Sequence, residues 1–346
     1  MSALTCPIPL DRYPFVTLAH GGGGRLMGQL IRDLFVATLG GDELRRGHDA
    51  GVIRPGSPRL AFTTDGFVVD PLLFPGGDIG SLAVNGTVND LAMAGARPRW
   101  LSLGCILEEG LPMETLWQVV RSIRAAADAA GVEIVTGDTK VVERGRGHGI
   151  YLTTAGVGEV EADGLLGPGE ARDGDVILIS GDPGRHGIAV LSQREGLGFE
   201  AEVVSDCAPV HEATLALIRQ GIPLRCLRDP TRGGLAAVLH EIAGASGVTA
   251  SLTEAVIPLH PAVRGACELL GLNPLRVASE GRFVAILPEE AAASAVTLLR
   301  GLPGCPDPAV IGRIRPRGIA PVVLTTPLGI DRIVDLPAGE ELPRIC

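Results

Sequence analysis

The chain has 346 residues, 46% of them apolar and 3% aromatic, with a formal charge of −10 at pH 7. That length suffices for two cores, and no uncharged apolar run reaches the ~18 residues that a membrane helix needs. An acidic chain with so few aromatics lacks both the basic face and the stacking surface that nucleic acid requires, and the first ten residues lack the pattern of a signal peptide, so a soluble, cytoplasmic protein is expected.

Seven cysteines, at 6, 105, 207, 226, 267, 305 and 346, are odd in number and nowhere form a C-x-x-C pair. They describe neither a disulfide framework nor a zinc site. Of the thirty basic residues, one alone is lysine, Lys140, which suggests a position needing a compact ammonium rather than a planar guanidinium; chance is the competing explanation for a single residue.

In chain order, a Pro-rich start leads to His20-Gly21-Gly22-Gly23-Gly24 and a helical pattern at Leu26, Leu30, Leu34 and Thr38. Glycines ahead of a helix let N–H groups approach an anion; a plain flexible turn reads equally well. His48 to Ile53 and Leu60 to Asp65 read as short strands, each carrying an acid, Asp49 and Asp65. Asp78 can cap a helix that bears Asp78, Asn85 and Asn89 on one face and Val84, Val88 and Leu91 on another. Trp100 to Leu107 reads as a strand, Glu114 to Ala130 as an amphipathic helix stopped by Gly131, and Val132 to Val135 as a strand entering a turn, Gly137-Asp138-Thr139-Lys140. Gly149 to Val160 is a further strand.

The Gly- and Asp-rich stretch 163 to 174 reads as a linker. Glycines meet helix starts again at Gly181 to Gly187 and at Asp229-Pro230-Thr231-Arg232-Gly233-Gly234. Ser279-Glu280-Gly281 precedes a strand, and the last strands are 309 to 314 and 321 to 324. The end, Glu341-Leu342-Pro343-Arg344-Ile345-Cys346, offers a thiol on an arm that Pro343 stiffens, although chain ends commonly carry no function.

Asp49, Asp65, Asn89, Asp90, Asp138 and Asp229 each mark an element boundary or a helix of small residues. Acids converging in one cleft need cations between them, and hard oxygen ligands suit Mg²⁺ held jointly with phosphates. Read separately, each Asp is an ordinary cap or turn residue.

Thr63-Thr64-Asp65, Pro75 to Gly80, Thr87 to Ala96, Asp138 to Val142, Arg228 to Gly234 and Leu342 to Cys346 together resemble the HypE family of hydrogenase maturation proteins. The inner motifs are shared with aminoimidazole ribonucleotide synthetase and its relatives; Gly66 stands where that pattern has serine. The resemblance implies an α/β fold of two domains, an ATP-binding and dimerising domain over 1–162 and a second over 163–330, with a flexible tail over 331–346. It implies that Cys346 receives a carbamoyl group from HypF, that ATP drives dehydration of the S-carboxamide to S-cyanocysteine, and that a HypC–HypD complex takes the cyano group for the iron of [NiFe]-hydrogenase. By the same resemblance Asp49, Asp65, Asp90 and Asp138 hold Mg²⁺. Gly22, Gly23, Gly24, Asp65, Asn89, Asp90, Asp138 and Asp229 surround ATP, and Lys140 and Glu280 face the modified cysteine. An ordinary lysine is protonated, so Glu280 is expected to take the proton and Lys140 to stabilise charge, the reverse holding only if burial depresses the lysine. Rival readings are a superfamily kinase or amide-activating enzyme acting on a free small molecule, and a non-catalytic thiol carrier.

Overall fold

A computed structural model describes residues 13–22, 25–45, 51–197 and 203–336. The first helical run is built from α1 (Arg25–Gln29), a π-helical stretch Leu30–Val36 and α2 (Ala37–Leu39), and it buries Leu30 and Leu34 as the spacing expects. It ends where Gly40 and Gly41 take φ of 70° and 83°, a region that side chains avoid. A short α3 (Asp42–Arg45) follows. Of the strand expected over His48 to Ile53, residues 48–50 lie outside the described residues and 51–53 belong to no strand.

Four strands form the N-terminal sheet: β1 (Leu60–Phe67), β4 (Ala96–Glu108), β5 (Glu133–Val142) and β6 (Ile150–Val160), in the order β1-β6-β4-β5. The parallel pair β4 and β5 is joined by the crossover helix α5 (Met113–Ala130), which ends on left-handed Gly131. A small ribbon, β2 (Leu73–Phe74) with β3 (Gly77–Asp78), delivers the chain to α4 (Ile79–Met93). Asp78 caps α4 by accepting from Gly80 N at 2.8 Å and Ser81 N at 2.9 Å. This helix is buried almost all round, because it packs on β1, β4 and β6 on one side and on α7 (His211–Arg219) and β8 (Cys226–Arg228) on the other. The expected turn at Gly137 to Lys140 is instead the middle of β5, since its backbone continues to pair with Leu103 to Ile106 of β4.

The C-terminal half holds a seven-stranded sheet in the order β13-β12-β9-β11-β7-β10-β8. Its other strands are β7 (Val176–Ile179), β9 (Val248–Thr253), β10 (Val284–Leu287), β11 (Ala309–Pro316), β12 (Val322–Thr325) and β13 (Asp331–Ile333). The central β7 and β10 are buried at every position, as strands covered on both faces must be. Helices α6 (Arg185–Glu195), α8 (Gly234–Ser246), α9 (Pro261–Leu270) and α10 (Ala292–Arg300) complete this half.

The stretch 163 to 174 joins the two halves and is docked on α8: Ser246 Oγ donates to Pro168 O at 2.6 Å and accepts from Ala171 N at 3.1 Å. The fold also runs past residue 330. Asp331, Arg332 and Ile333 pair with Thr325, Leu324 and Val323, and Val334 is buried, so the tail starts later than 331.

Candidate functional site

The helix α4 carries Asp90 to the seam between the two halves, and β1 brings Asp65 beside it on the face that packs against α4. Gly86 makes that approach feasible, since a Cβ there would stand 2.8 Å from the Phe67 ring. From the other half come Asp229, which follows β8, and Glu280, which precedes β10. These four carboxylates line one cavity of about 200 Å³, together with Thr231 and Arg232 from the loop that opens α8. Gly233 and Gly234 turn that loop with φ of 76° and 61°; a Cβ on Gly234 would lie 2.7 Å from the carbonyls of Leu275 and Val277, so only glycine fits.

The electrostatics follow from the crowding. Burial raises the Asp65 carboxyl, Asp90 raises it further, and the Gly66 N–H and Arg232 oppose the change. Asp90 is raised by burial and partly relieved by the Thr63 hydroxyl, which donates to it at 2.8 Å. Asp229 is pushed up to about 7, first by burial and then by Asp90. Glu280 is pushed well above the usual carboxylate range by burial and then by Asp229 and the other acids. Its Oε1 is buried without a hydrogen-bond partner. Such a group calls for a ligand.

A rigid frame holds Glu280 in place. Asp206 Oδ1 accepts from Glu280 N at 3.2 Å and from His186 N at 3.1 Å, and Arg282 bridges to Asp182 at 3.0 Å. The Arg282 guanidinium is buried between Asp182 and Asp206, so this interior charge is compensated on both sides.

Asn89 does not line the cavity. Its amide donates to Ala208 O and Glu280 O, both at 3.1 Å, and its oxygen accepts from Val210 N at 2.8 Å. All three bonds that this buried side chain makes join the two halves, a structural role beside the cofactor contact expected of it. Asn85 on the same helix face donates to Cys207 Sγ at 3.5 Å, and burial holds that thiol far from ionisation.

Asp138 and Lys140 also lie elsewhere. Asp65 shares its row with buried Thr154 and Leu103, whereas Asp138 shares the next row with Thr153 and Gly104 on the opposite face. Across three strand spacings of ~4.8 Å, β5 stands roughly 14 Å from β1. Lys140 Nζ donates to Asp138 at 2.8 Å, both side chains are exposed, and the ammonium holds the Asp138 carboxyl below the usual range. Within one chain, then, Lys140 and Glu280 do not face one group, and Asp138 does not join Asp65 and Asp90. Gly21 packs on this strand, its Cβ position 2.7 Å from Val141 N, which sets the Gly21-Gly22 turn beside β5 rather than over the acids. Gly23, Gly24, Asp49 and Cys346 lie outside the described residues. On the sheet face that carries Lys140, Ile106 is its exposed neighbour on β4, while exposed Leu60 and Phe62 lie on β1 at the far edge of the sheet.

Sequence reasoning passed over Arg232 and Thr231. Arg232 is one of twenty-nine arginines, so type gave no signal. Its place between Asp229 and a glycine pair ahead of a helix was the available clue. Among the described residues, no three His, Cys, Asp or Glu side chains form a ready-made metal cage.

The family models for the N-terminal and C-terminal domains of AIR synthase related protein match residues 47–160 and 172–323. The chain is 50% identical over 331 residues to carbamoyl dehydratase HypE of Azotobacter vinelandii, covering 96% of this chain and 97% of that one. It superposes with a TM-score of 0.91 on a crystal structure of the hydrogenase maturation protein HypE in complex with ATP, at 47% identity over 95% of this chain and 99% of that one. A HypE–HypF complex gives a TM-score of 0.78 at 40% identity, over 89% and 99% of the two chains. Sharing both domains and half of its residues over nearly its whole length, the chain belongs to the carbamoyl dehydratase HypE family of AIR synthase related proteins.

Proposed function

We propose that the protein is a cytoplasmic, ATP-dependent dehydratase that converts an S-carboxamide on Cys346 into S-cyanocysteine for hydrogenase maturation. The observation that carries this reading is the cavity in which Asp65, Asp90, Asp229 and Glu280 meet with Arg232 as their sole lining cation among the described residues. The cytoplasm suits the five described cysteines, all of which are free.

The residues fit Mg²⁺ and ATP on chemical grounds. Four crowded carboxylates with raised pKa values favour hard cations, and Mg²⁺ is one that one or two carboxylates hold while phosphates and water complete its shell. When bound, Mg²⁺-ATP supplies the phosphoryl group that makes the carboxamide oxygen a leaving group. Asp65, Asp90 and Asp229 hold the cation side, and Arg232 offers its guanidinium to the phosphates. The amide gives up its oxygen to phosphate and two nitrogen protons, leaving the nitrile. Burial first and the neighbouring acids second hold the proton on Glu280; neutralising the acids lifts the second cause alone, and in its ionised form Glu280 would take one nitrogen proton while the departing phosphate takes the other.

The exit of the chain supports Cys346 as the carrier. Val334 O meets His240 Nε2 at 2.6 Å and Asp335 O accepts from Arg276 at 2.7 Å. His240 is six residues along α8 from Gly234, about 9 Å at ~1.5 Å each, and the ten residues that follow Leu336 extend to about 33 Å. Cys346 can therefore reach the cavity.

Lys140, Asp138 and the Gly22 turn enter this reading through a homodimer. Two sheets pairing by their exposed apolar faces around Leu60, Phe62 and Ile106 bring β5 of one chain toward β1 of the other, so that each site uses both chains. The partition at residues 162 and 163 belongs to the proposal, with the second domain extended through Val334. HypF as carbamoyl donor and HypC–HypD as acceptor complete it.

Deleting residues 341–346 tests the assignment against a superfamily enzyme acting on a free small molecule. The truncated chain should bind ATP and turn over no carboxamide; turnover of a free carboxamide by that chain would support the rival.

A further inference from the structure

A second cavity, of about 300 Å³, lies in the C-terminal half, between α9 and the last two strands. Arg264 and Arg332 line it, and among the described residues neither guanidinium has an ion pair or hydrogen bond; Glu254 on the same wall pairs with neither. Arg332 opposes Leu324 in the sheet and so shares its face, and Leu275 adds to the apolar floor. Two unpaired arginines over leucines suit an occupant that is acidic and bears an aliphatic side chain.

The chain supplies such a segment close by. Asp335 O is fixed by Arg276, the neighbour of Leu275 on the cavity wall, and Arg332 lies four residues before Leu336. Glu340-Glu341-Leu342, which lies outside the described residues, is two acids followed by a leucine. Four extended residues, about 13 Å, separate it from Leu336. The acid cavity repels these same glutamates through Asp65, Asp90 and Asp229.

We infer that the Arg264–Arg332 pocket is the resting berth of Glu340-Glu341-Leu342. The inference stands whether or not Cys346 carries a carboxamide.

Glu-specific proteolysis of the intact protein, followed by intact mass, reads whether cleavage after Glu340 and Glu341 is shielded. Arg264→Glu with Arg332→Glu should speed cleavage about fivefold or more, the shift that two exposed ion pairs support. The neutral pair Arg264→Gln with Arg332→Gln, checked for an unchanged Tm, should fall between. Because charge reversal could disturb the fold, the neutral pair decides on its own: cleavage at the parental rate overturns the berth. So does a result in which inorganic phosphate raises the Tm of the parent but not of the neutral variant while cleavage is equal in both, which would make the pocket a small-anion site.

Discussion

Asn89 accepts a hydrogen bond from Val210 N at 2.8 Å while donating to Glu280 O at 3.1 Å, so one side chain ties the helix that bears Asp90 to the segment that bears Glu280. Asn89→Ala should strand the Val210 N–H and remove a donor from the Ala208 and Glu280 carbonyls in a buried seam, and cost about 2–4 kcal/mol. Denaturant unfolding reads this directly. A variant that keeps its stability and loses only ATP affinity would return Asn89 to the cofactor.

Arg232 is exposed and makes no hydrogen bond or ion pair among the described residues, so Arg232→Ala should leave the Tm unchanged. If it meets the phosphates, dehydration should fall by about 10²-fold or more, with Arg232→Lys recovering part of the loss. Dehydration within about threefold of the parent for the alanine variant would remove Arg232 from the reaction.

Whether Lys140 and Asp90 share a site across the proposed homodimer can be read by mixing chains. Lys140→Ala and Asp90→Asn should each be inactive as pure dimers, while a heterodimer of the two holds one site with both residues intact and one with neither. Mixing should restore roughly a quarter of parental activity if the chains exchange freely. No recovery in a heterodimer verified by mass would place both residues in a site made by a single chain.

The acid cavity predicts a pH-dependent stability in Mg²⁺-free buffer. The Asp229 carboxyl titrates near 7 when folded against an ordinary value of 3.8, so the folded state holds the extra proton between those values. Stability should fall as pH rises from about 4 to about 7 and level off above. Asp229→Asn should flatten that slope. Equal slopes for parent and variant would show that Asp229 ionises as freely folded as unfolded.

Much of this was legible in the sequence where one local rule governed. The cap at Asp78, the period of α5 and the stop at Gly131 are decided by neighbours in the chain, and the structure has them where expected. Position across a sheet is a different matter. That Asp65 and Asp138 point to opposite faces depends on a register set by β4 and β6, which spacing within either strand does not encode. The polar face of α4 was visible, but a cofactor contact and a clamp on Val210 require the same residue type. The last strand was missed because Asp331-Arg332-Ile333 is too short to show a period, and it is held by pairing with β12.

The central claim rests on what happens to Cys346. Protein carbamoylated by its donor and then given Mg²⁺-ATP should lose the mass of one water, at Cys346, and only when ATP is present; Asp90→Asn should accept the carbamoyl group and keep that water. A carbamoylated parent that retains its full mass with ATP, or that carries the group on another cysteine, would contradict the account.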